Sequence, residues 1–262
     1  MIDFYLMHYK TTHFDYQIEN IKRYVKDKKI NIYVTIDSDN KEEYNSMLNK
    51  VNEIGVTPIM MPFPRLTERP LPGFHIASSE FGLACNYVYD NYIKNSKNIS
   101  VMIENDVFFI KDFIVSDYCK DYQVCGNIRV NYNYLPKRLH HFWPGFIIFN
   151  KTMEDRDKFG LRHLALEGIS TDSGAESNTW INLHKDSIRH IKYSGESESY
   201  SPFTYTYNEG RNITIDTIPD SLRKGYINEY AVVIHDDFLI HLEGIGKSLK
   251  TNKIEWLKTV LN

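Results

Sequence analysis

The chain has 262 residues, of which 42% are hydrophobic and 25% are charged, and its net charge is −3. This composition is that of an ordinary globular protein, long enough for one large α/β domain or two small ones. The slight negative charge excludes the basic surface on which nucleic-acid binding depends, so we expect no nucleic-acid partner.

The cysteines and the N-terminus predict a cytoplasmic location. Cys85, Cys119 and Cys125 show no CxxC spacing and are odd in number, which favours reduced thiols in an intracellular protein. The first ten residues lack the basic and then apolar pattern of a signal peptide. No apolar run approaches the roughly 20 residues that a membrane span needs, so we expect no transmembrane segment.

The first 61 residues alternate between strand and helix patterns. Residues 2–7, 32–36 and 56–61 are apolar runs of strand length. The first connection has apolar residues at helical spacing from Phe14 to Val25. In the second, Asn40 is predicted to cap a helix that stops at Gly55. The alternation predicts a parallel sheet with right-handed crossovers.

Polar side chains follow two of these predicted strands. His8 and Tyr9 come directly after the first strand, and Asp37 follows the second. Ligands of parallel α/β sheets bind beyond the carboxyl ends of the strands. These three residues are therefore candidate ligand contacts.

The next segments lead into an acidic turn. Residues 62–73 contain four prolines and are predicted to form a surface loop. Residues 79–94 are predicted to be helical, with Phe81, Cys85, Val88 and Tyr92 as the buried stripe. A short buried strand then ends in Glu104-Asn105-Asp106, and the chain returns at once to apolar residues.

Two carboxylates in such surroundings would be costly without a cation, hydrogen-bond donors or water. Acids two residues apart can face one site when a strand ends in a tight turn, and Mg²⁺ and Mn²⁺ prefer oxygen ligands. The triplet therefore makes Glu104 and Asp106 candidate metal ligands, although a solvated strand end gives the same pattern.

The second half of the sequence is less regular. Residues 122–130 and 145–150 are strand-like, and residues 131–144 are predicted to be an aromatic, basic, His-rich loop. Residues 171–174 form a predicted turn before a helix, residues 230–242 contain strand-like runs, and residues 255–261 suggest a terminal helix. No internal repeat or linker divides the chain, which predicts one domain over residues 1–262.

Taken together, these features resemble the glycosyltransferases of the GT-A fold. The segment ENDV at 104–107 matches the DxD position of that family, with Glu in the first place. The segment HFWPGFIIFN at 141–150 is similar to a family strand that ends near the acceptor site. The segment HLEGIGKS at 241–248 is similar to the HxxGxxK motif of glycogenin and related bacterial galactosyltransferases.

The resemblance implies a single Rossmann-like α/β domain, in which a mostly parallel mixed sheet is flanked by helices. Residues 1–110 would bind a nucleotide-sugar donor, and residues 111–262 would bind the acceptor and supply the C-terminal motif. The implied activity is metal-dependent transfer of a hexose or pentose from a UDP- or GDP-sugar to a glycan or another hydroxyl acceptor.

The resemblance also assigns residues to roles. His241 would complete the shell of an Mn²⁺ or Mg²⁺ ion with Glu104 and Asp106, while Gly244 and Lys247 would hold the diphosphate. The predicted donor contacts are His8, Tyr9, Asp37, Ser79, Glu104, Asp106, Gly244 and Lys247. The predicted acceptor contacts are Tyr134, His141 and Trp143.

The best candidates for a catalytic acid are Asp172 and Glu176, just before a predicted helix. Both also suit the start of a helix, with Asp172 or Ser173 as a cap and Glu176 as a first-turn acid.

Two other functions remain open. One is a nucleotidyltransferase acting on sugar phosphates, which would normally show a glycine-rich loop after the first strand. The other is a non-catalytic carbohydrate-binding module.

Overall fold

The computed structural model describes residues 1–9, 13–65, 76–131, 139–166, 169–194, 201–203, 218–226, 232–242 and 250–261. Within them the strands are β1 (Ile2–Met7), β2 (Ile30–Ile36), β3 (Thr57–Met60), β4 (Ile99–Glu104), β5 (Val107–Phe109), β6 (Val124–Asn131), β7 (Leu139–Phe149), β8 (Ala165–Leu166), β9 (Ile169–Ser170), β10 (Ile188–His190), β11 (Val233–His235) and β12 (Leu239–His241). The α-helices there are α1 (Phe14–Tyr24), α2 (Lys41–Ile54), α3 (Ile76–Val88), α4 (Val115–Tyr118), α5 (Asn178–Leu183) and α6 (Lys250–Leu261).

Seven strands form one sheet in the order β10-β6-β7-β4-β1-β2-β3. The pairs β1–β2, β1–β4, β2–β3 and β6–β10 are parallel, and β7 runs antiparallel to both of its neighbours. The predicted fold class, an α/β protein with a mostly parallel mixed sheet and flanking helices, is confirmed. Strands from both predicted halves of the chain contribute to this sheet.

The predicted β-α-β-α-β start is confirmed, and local sequence explains its elements. Every residue of β1 is buried, as expected of a central parallel strand covered on both faces. The Asn40 side chain accepts hydrogen bonds from the backbone N–H groups of Glu42 and Glu43 at the start of α2. Gly55 ends that helix in the left-handed region, at φ 77°.

The position of β1 determines where a ligand can bind. The chain proceeds from β1 outward through β2 to β3, and then returns to place β4 on the other side of β1. This reversal of strand order creates a crevice at the carboxyl ends of β1 and β4, the usual binding site in open α/β sheets. Glu104 ends β4 inside that crevice, opposite Met7 of β1.

The helix predicted at 79–94 has a different buried face near its end. A π-helical turn, Tyr89–Ile93, follows α3, and the Lys94 N–H donates to the Tyr89 carbonyl. Because a π turn holds more residues than an α turn, the buried position after Val88 moves from the expected Tyr92 to Ile93. Tyr92 is 37% exposed, while Ile93 is fully buried.

The loop predicted at 131–144 is partly wrong. Strand β7 begins at Leu139, so His141 and Trp143 lie in a strand and are buried. Pro144 lies inside this strand, which is why the sequence pattern indicated only its second half, at residues 145–150.

The irregular pairing of β7 accommodates the proline. Its pairing with β4 begins only at Phe146, opposite Ile103. Its pairing with β6 shifts register between Gly126 and Ile128, an irregularity of the kind found at a β-bulge. Pro144 lies at this irregularity, where the regular ladder does not require its missing N–H.

A second sheet, in the order β11-β12-β5, extends from the end of β4. In it β12 runs antiparallel to β5, and His241 is in register with Val107. The C-terminal region thereby comes next to the acidic turn. Among the described helices, none has the length and apolar character needed to cross a bilayer.

Candidate active site

The acid turn, defined here as residues 104–106, connects β4 to β5. Glu104 is the last residue of β4 and is partly exposed, whereas Asp106 is 7% exposed. Both strands that flank the turn are buried, so the turn projects two carboxylates from an apolar support. The backbone carbonyl of Asp106 accepts a hydrogen bond from the Leu242 N–H at 2.9 Å.

His241 completes a three-residue cluster with these acids. Its Nε2 atom lies 3.5 Å from Asp106 Oδ2. One potential ligand atom from each of Glu104, Asp106 and His241 lies within 4.8 Å of the other two. The three residues predicted to bind a metal are thus brought together. In the sequence, His241 lies 135 or more residues after the two acids.

The polar atoms of the cluster fit a divalent cation. Asp106 Oδ1 and His241 Nδ1 are buried and have no hydrogen-bond partner among the described residues. A buried carboxylate oxygen without a partner is costly, and a bound cation would remove that cost. Two carboxylates and one imidazole are suitable ligands for Mn²⁺, and the carboxylates also suit Mg²⁺.

The electrostatics of the acid turn favour the same conclusion. Loss of surrounding water raises the pKa of Glu104 well above its usual value, and the negative charge of Asp106 beside it raises it further. Arg129 opposes this shift, while Asp172 adds to it. A further positive charge near the turn would favour the ionised form of Glu104.

Arg129 joins the acid turn to a second group of side chains. Its guanidinium lies 3.8 Å from Asp172 Oδ2, and its Nε–H donates to the Tyr193 hydroxyl at 3.1 Å. It also lies 5.0 Å from the centre of the Trp143 ring. Asp172, one of the two predicted catalytic acids, thus lies beside Arg129 and within electrostatic range of Glu104.

The structure does not use Asp172 as a helix cap. Its carboxylate accepts the Ser173 N–H at 2.8 Å. Neither the 3₁₀ turn Ala175–Ser177 nor α5 has a side-chain cap. The Asp172 side chain is 36% exposed, so a substrate can reach it.

Glu176 occupies a different environment from Asp172. Both of its carboxylate oxygens accept hydrogen bonds from Arg162, at 3.0 and 2.8 Å. This bidentate ion pair is partly exposed. The contacts of the two acids therefore distinguish them: Asp172 pairs with Arg129, and Glu176 pairs with the surface residue Arg162.

The predicted donor contacts at the ends of β1 and β2 also lie together. Tyr9 and Asp37 form a parallel bridge that extends the β1–β2 pairing. Arg65 donates from Nε to Asp37 Oδ2 at 3.0 Å, pairs with Glu80, and lies 3.8 Å from the centre of the Tyr9 ring. Burial raises the pKa of Asp37, and the positive charge of Arg65 offsets only part of this increase.

Other predicted contacts are buried. His8, directly after β1, is 1% exposed. Ser79 in α3 is also buried, and its hydroxyl has no partner among the described residues. His141 is buried, and burial lowers its pKa to about 4. Trp143 stacks on His235 at 5.0 Å and contacts His241 at 4.7 Å between ring centres.

Trp143 therefore packs against the predicted metal cluster. Its role in binding an acceptor stays a prediction. Gly244, Lys247 and Tyr134 lie outside the described residues.

Sequence reasoning missed three polar residues of this region: Arg129, Arg65 and Gln17. Arg129 is the one charged residue of β6, which was an available signal. Arg65 was hidden in a proline-rich segment. Gln17 lies among the apolar positions of α1 and is fully buried, which its residue type does not indicate.

No protein-family model matches this sequence, and no curated protein matches it. Among solved structures, the chain is similar to the galactosyltransferase LgtC in complex with donor and acceptor sugar analogs, at 11% identity and a TM-score of 0.44, over 72% of this chain and 73% of that one. It is also similar to the glycosyltransferase GlyE of Streptococcus pneumoniae TIGR4, at 12% identity and a TM-score of 0.35, over 72% of this chain and 45% of that one.

A further similar structure is the mannosyltransferase Ktr4p from S. cerevisiae, at 10% identity and a TM-score of 0.36, over 57% of this chain and 55% of that one. The chain thus matches about half the length of GlyE and Ktr4p. The described sheet is the mostly parallel mixed sheet that was expected from the sequence. Likenesses this distant leave the activity to be argued from the residues of this chain.

Proposed function

We propose that the protein is a metal-dependent glycosyltransferase, which moves a sugar from a nucleotide-diphosphate donor to a hydroxyl group of an acceptor such as a glycan. The observation that supports this most directly is the cluster of Glu104, Asp106 and His241, with buried, unpartnered Asp106 Oδ1 and His241 Nδ1 atoms. Its position at the β1/β4 crevice is where a nucleotide ligand of such a sheet binds.

The acids and the histidine would hold Mn²⁺ or Mg²⁺. A divalent cation there supplies positive charge to the diphosphate that leaves in glycosyl transfer. It would also offset the repulsion between the carboxylates of the acid turn and the diphosphate.

Tyr9 and Asp37 are proposed to contact the nucleoside of a UDP- or GDP-sugar. They follow β1 and β2, whereas the acid turn follows β4 on the other side of β1. Two strand spacings separate Asp37 from Glu104, roughly 10 Å. This separation suits a ligand with its base at one end and its diphosphate at the other.

Asp172 is proposed as the catalytic carboxylate. Its partly exposed side chain lies beside Arg129 and within electrostatic range of Glu104. From there it would accept the proton of the acceptor hydroxyl, or bind the donor sugar. Arg129 would orient the Asp172 carboxylate through their ion pair.

The first test of this function is nucleotide binding with and without Mn²⁺. The thermal unfolding midpoint would be measured with UDP, GDP and CMP and with their sugars. We expect one base to raise the midpoint, and only when Mn²⁺ is present. A ligand at about 100 times its Kd stabilises the folded state by about 2.7 kcal/mol.

Asp106→Ala tests the metal site in particular. Removing this carboxylate is expected to abolish Mn²⁺-dependent nucleotide binding, measured by calorimetry, because the cluster loses an anionic ligand. Asp112→Ala is the matched control, since Asp112 is an exposed acid that pairs with Lys26 at the surface. Unchanged Mn²⁺-dependent binding in Asp106→Ala would contradict the metal assignment.

The reaction products separate the remaining functions. Release of free nucleoside diphosphate from the sugar donor, dependent on an acceptor, supports glycosyl transfer. Formation of pyrophosphate from a nucleoside triphosphate and a sugar phosphate would identify a nucleotidyltransferase instead. Binding of the nucleotide sugar without turnover would favour a non-catalytic module.

A further inference from the structure

Gln17 of α1 is hydrogen-bonded to both ends of the acid turn. Its amide nitrogen Nε2 donates to the backbone carbonyl of Glu104 at 2.7 Å and to that of Val107 at 2.9 Å. These carbonyls belong to the last residue of β4 and the first residue of β5. Both hydrogens of the amide are thereby used, and the side chain is fully buried.

The two carbonyls between these ends also have partners outside the turn. His13 Nε2 lies 2.8 Å from the carbonyl oxygen of Asn105. The Leu242 N–H donates to the carbonyl of Asp106 at 2.9 Å. Four consecutive backbone carbonyls are thus each fixed by a donor, two of them by the same glutamine.

A buried histidine fixes the orientation of the Gln17 amide. Because Nε2 of Gln17 is the donor to two carbonyls, its Oε1 atom must accept, and His8 Nε2 lies 2.8 Å from it. His8 therefore carries its hydrogen on Nε2. Burial, with a smaller contribution from His13, lowers the pKa of His8 to about 3, so its ring is neutral at pH 7.

We propose that Gln17 is a positioning residue for the metal site, which holds the acid turn in the conformation that directs the Glu104 and Asp106 carboxylates toward His241. The reason is geometric: the carbonyl directions at residues 104 and 107 fix the backbone dihedrals between them, and those dihedrals determine where the two carboxylates point. The inference rests on the proposed metal binding.

Asn20, one helical turn further along α1, provides a matched control. Its side chain donates to the carbonyl of Phe109 at 2.8 Å and accepts the Phe109 N–H at 2.7 Å. It is also buried. Asn20 thus makes two hydrogen bonds from the same helix to the same β4–β5 segment, as Gln17 does, but beyond the acid turn.

The test compares Mn²⁺ affinity in Gln17→Met and Asn20→Leu, each of which removes two hydrogen bonds to the β4–β5 segment with a side chain of similar size. Gln17→Met also removes the hydrogen bond to His8. Free Mn²⁺ would be counted by electron paramagnetic resonance, without nucleotide or turnover, at a temperature where circular dichroism shows each variant to be folded. Gln17→Met is expected to raise the Kd for Mn²⁺ about 10- to 100-fold, the usual effect of losing a residue that supports metal ligands. Asn20→Leu is expected to lower the unfolding midpoint without changing this Kd.

A milder variant keeps the test decisive if Gln17→Met does not fold. His13→Ala removes the hydrogen bond to the Asn105 carbonyl from a partly exposed side chain, and it is expected to raise the Kd less than Gln17→Met would. An unchanged Kd in both Gln17→Met and His13→Ala, or an equal change in Asn20→Leu, would overturn the positioning role. Asp106→Ala separates this failure from the other: Mn²⁺ binding that survives in Asp106→Ala would overturn the metal site itself.

Discussion

At the scale of single residues, Arg129 connects several side chains of the candidate site. It lies between Asp172, the Tyr193 hydroxyl and the Trp143 ring, and its charge opposes the raised pKa of Glu104. An arginine in this position can balance two separate acidic groups at once, because its planar guanidinium presents donors in several directions.

The role of Asp172 gives a prediction at this scale. Asp172→Asn keeps the size of the side chain but removes the charge and the ability to accept a proton. We expect it to lower kcat by a factor on the order of 10² or more, with nearly unchanged donor affinity. Steady-state kinetics with the donor identified by the binding screen measures both quantities.

Glu176→Gln is the companion variant to Asp172→Asn. Its ion pair with Arg162 is partly exposed, so we expect a loss of stability of no more than about 1 kcal/mol and a small effect on kcat. Normal kcat in Asp172→Asn together with a large loss in Glu176→Gln would reverse the two assignments.

At the residue level, the sequence indicates candidates where the residue type restricts the chemistry. Glu104, Asp106 and His241 were identified from short motifs, and the structure brings them together. Gln17 could not be found in this way, because a glutamine on a helix is usually exposed. Its burial follows from the return of β5 past α1, a contact between residues about 90 positions apart.

At the scale of elements, the turn that contains Asp172 depends on a glycine. Gly174 has a φ of +90°, and a Cβ atom there would lie 2.0 Å from the backbone oxygen of Phe142. The Gly174 N–H also donates to the Leu161 carbonyl at 2.8 Å. The backbone thus passes between two neighbouring segments with no room for a side chain.

Gly174→Ala is therefore expected to destabilise the protein by about 3 kcal/mol or more, since it combines a strained backbone with a clash against a fixed carbonyl. Gly55→Ala is the control, because Gly55 has a similar φ of +77° but no atom near its Cβ position. That variant is expected to cost only about 1–2 kcal/mol. Urea unfolding measures both, and equal losses would contradict the role of the clash.

Helices and strands were predictable from sequence where the apolar residues repeat with one clear spacing. The strands and helices up to residue 61 follow such patterns, whereas the first half of β7 does not. Its histidines, tryptophan and proline suggest a loop, but pairing with β6 and β4 forms a strand. The π turn that follows α3 was also not predicted, since such a turn has no clear sequence signal.

At the scale of the whole molecule, the location of the site follows from topology. Parallel strands on both sides of β1 end at one edge of the sheet, so polar residues after β1, β2 and β4 must meet there. This part was predictable, since it needs only the order and direction of the strands. The approach of β12 to that edge was not, because it depends on the second sheet.

The pH dependence of global stability is the last prediction. His141 is buried beside Asp172 and Arg129, and burial lowers its pKa from 6.5 to about 4. Between these two values the unfolded chain binds more protons at this residue than the folded protein does. His141 therefore destabilises the folded state increasingly as the pH falls from about 6.5 toward 4.

The raised pKa values of Glu104 and Asp37 act in the opposite direction, so the slope of the wild type alone does not isolate His141. The informative quantity is the difference in unfolding free energy between His141→Gln and the wild type, measured by urea titration at several pH values. This difference is expected to move by about 2 kcal/mol in favour of the variant between pH 7.5 and pH 4.5, because glutamine takes up no proton. A difference that stays constant over this range would show that His141 titrates alike in the folded and unfolded states.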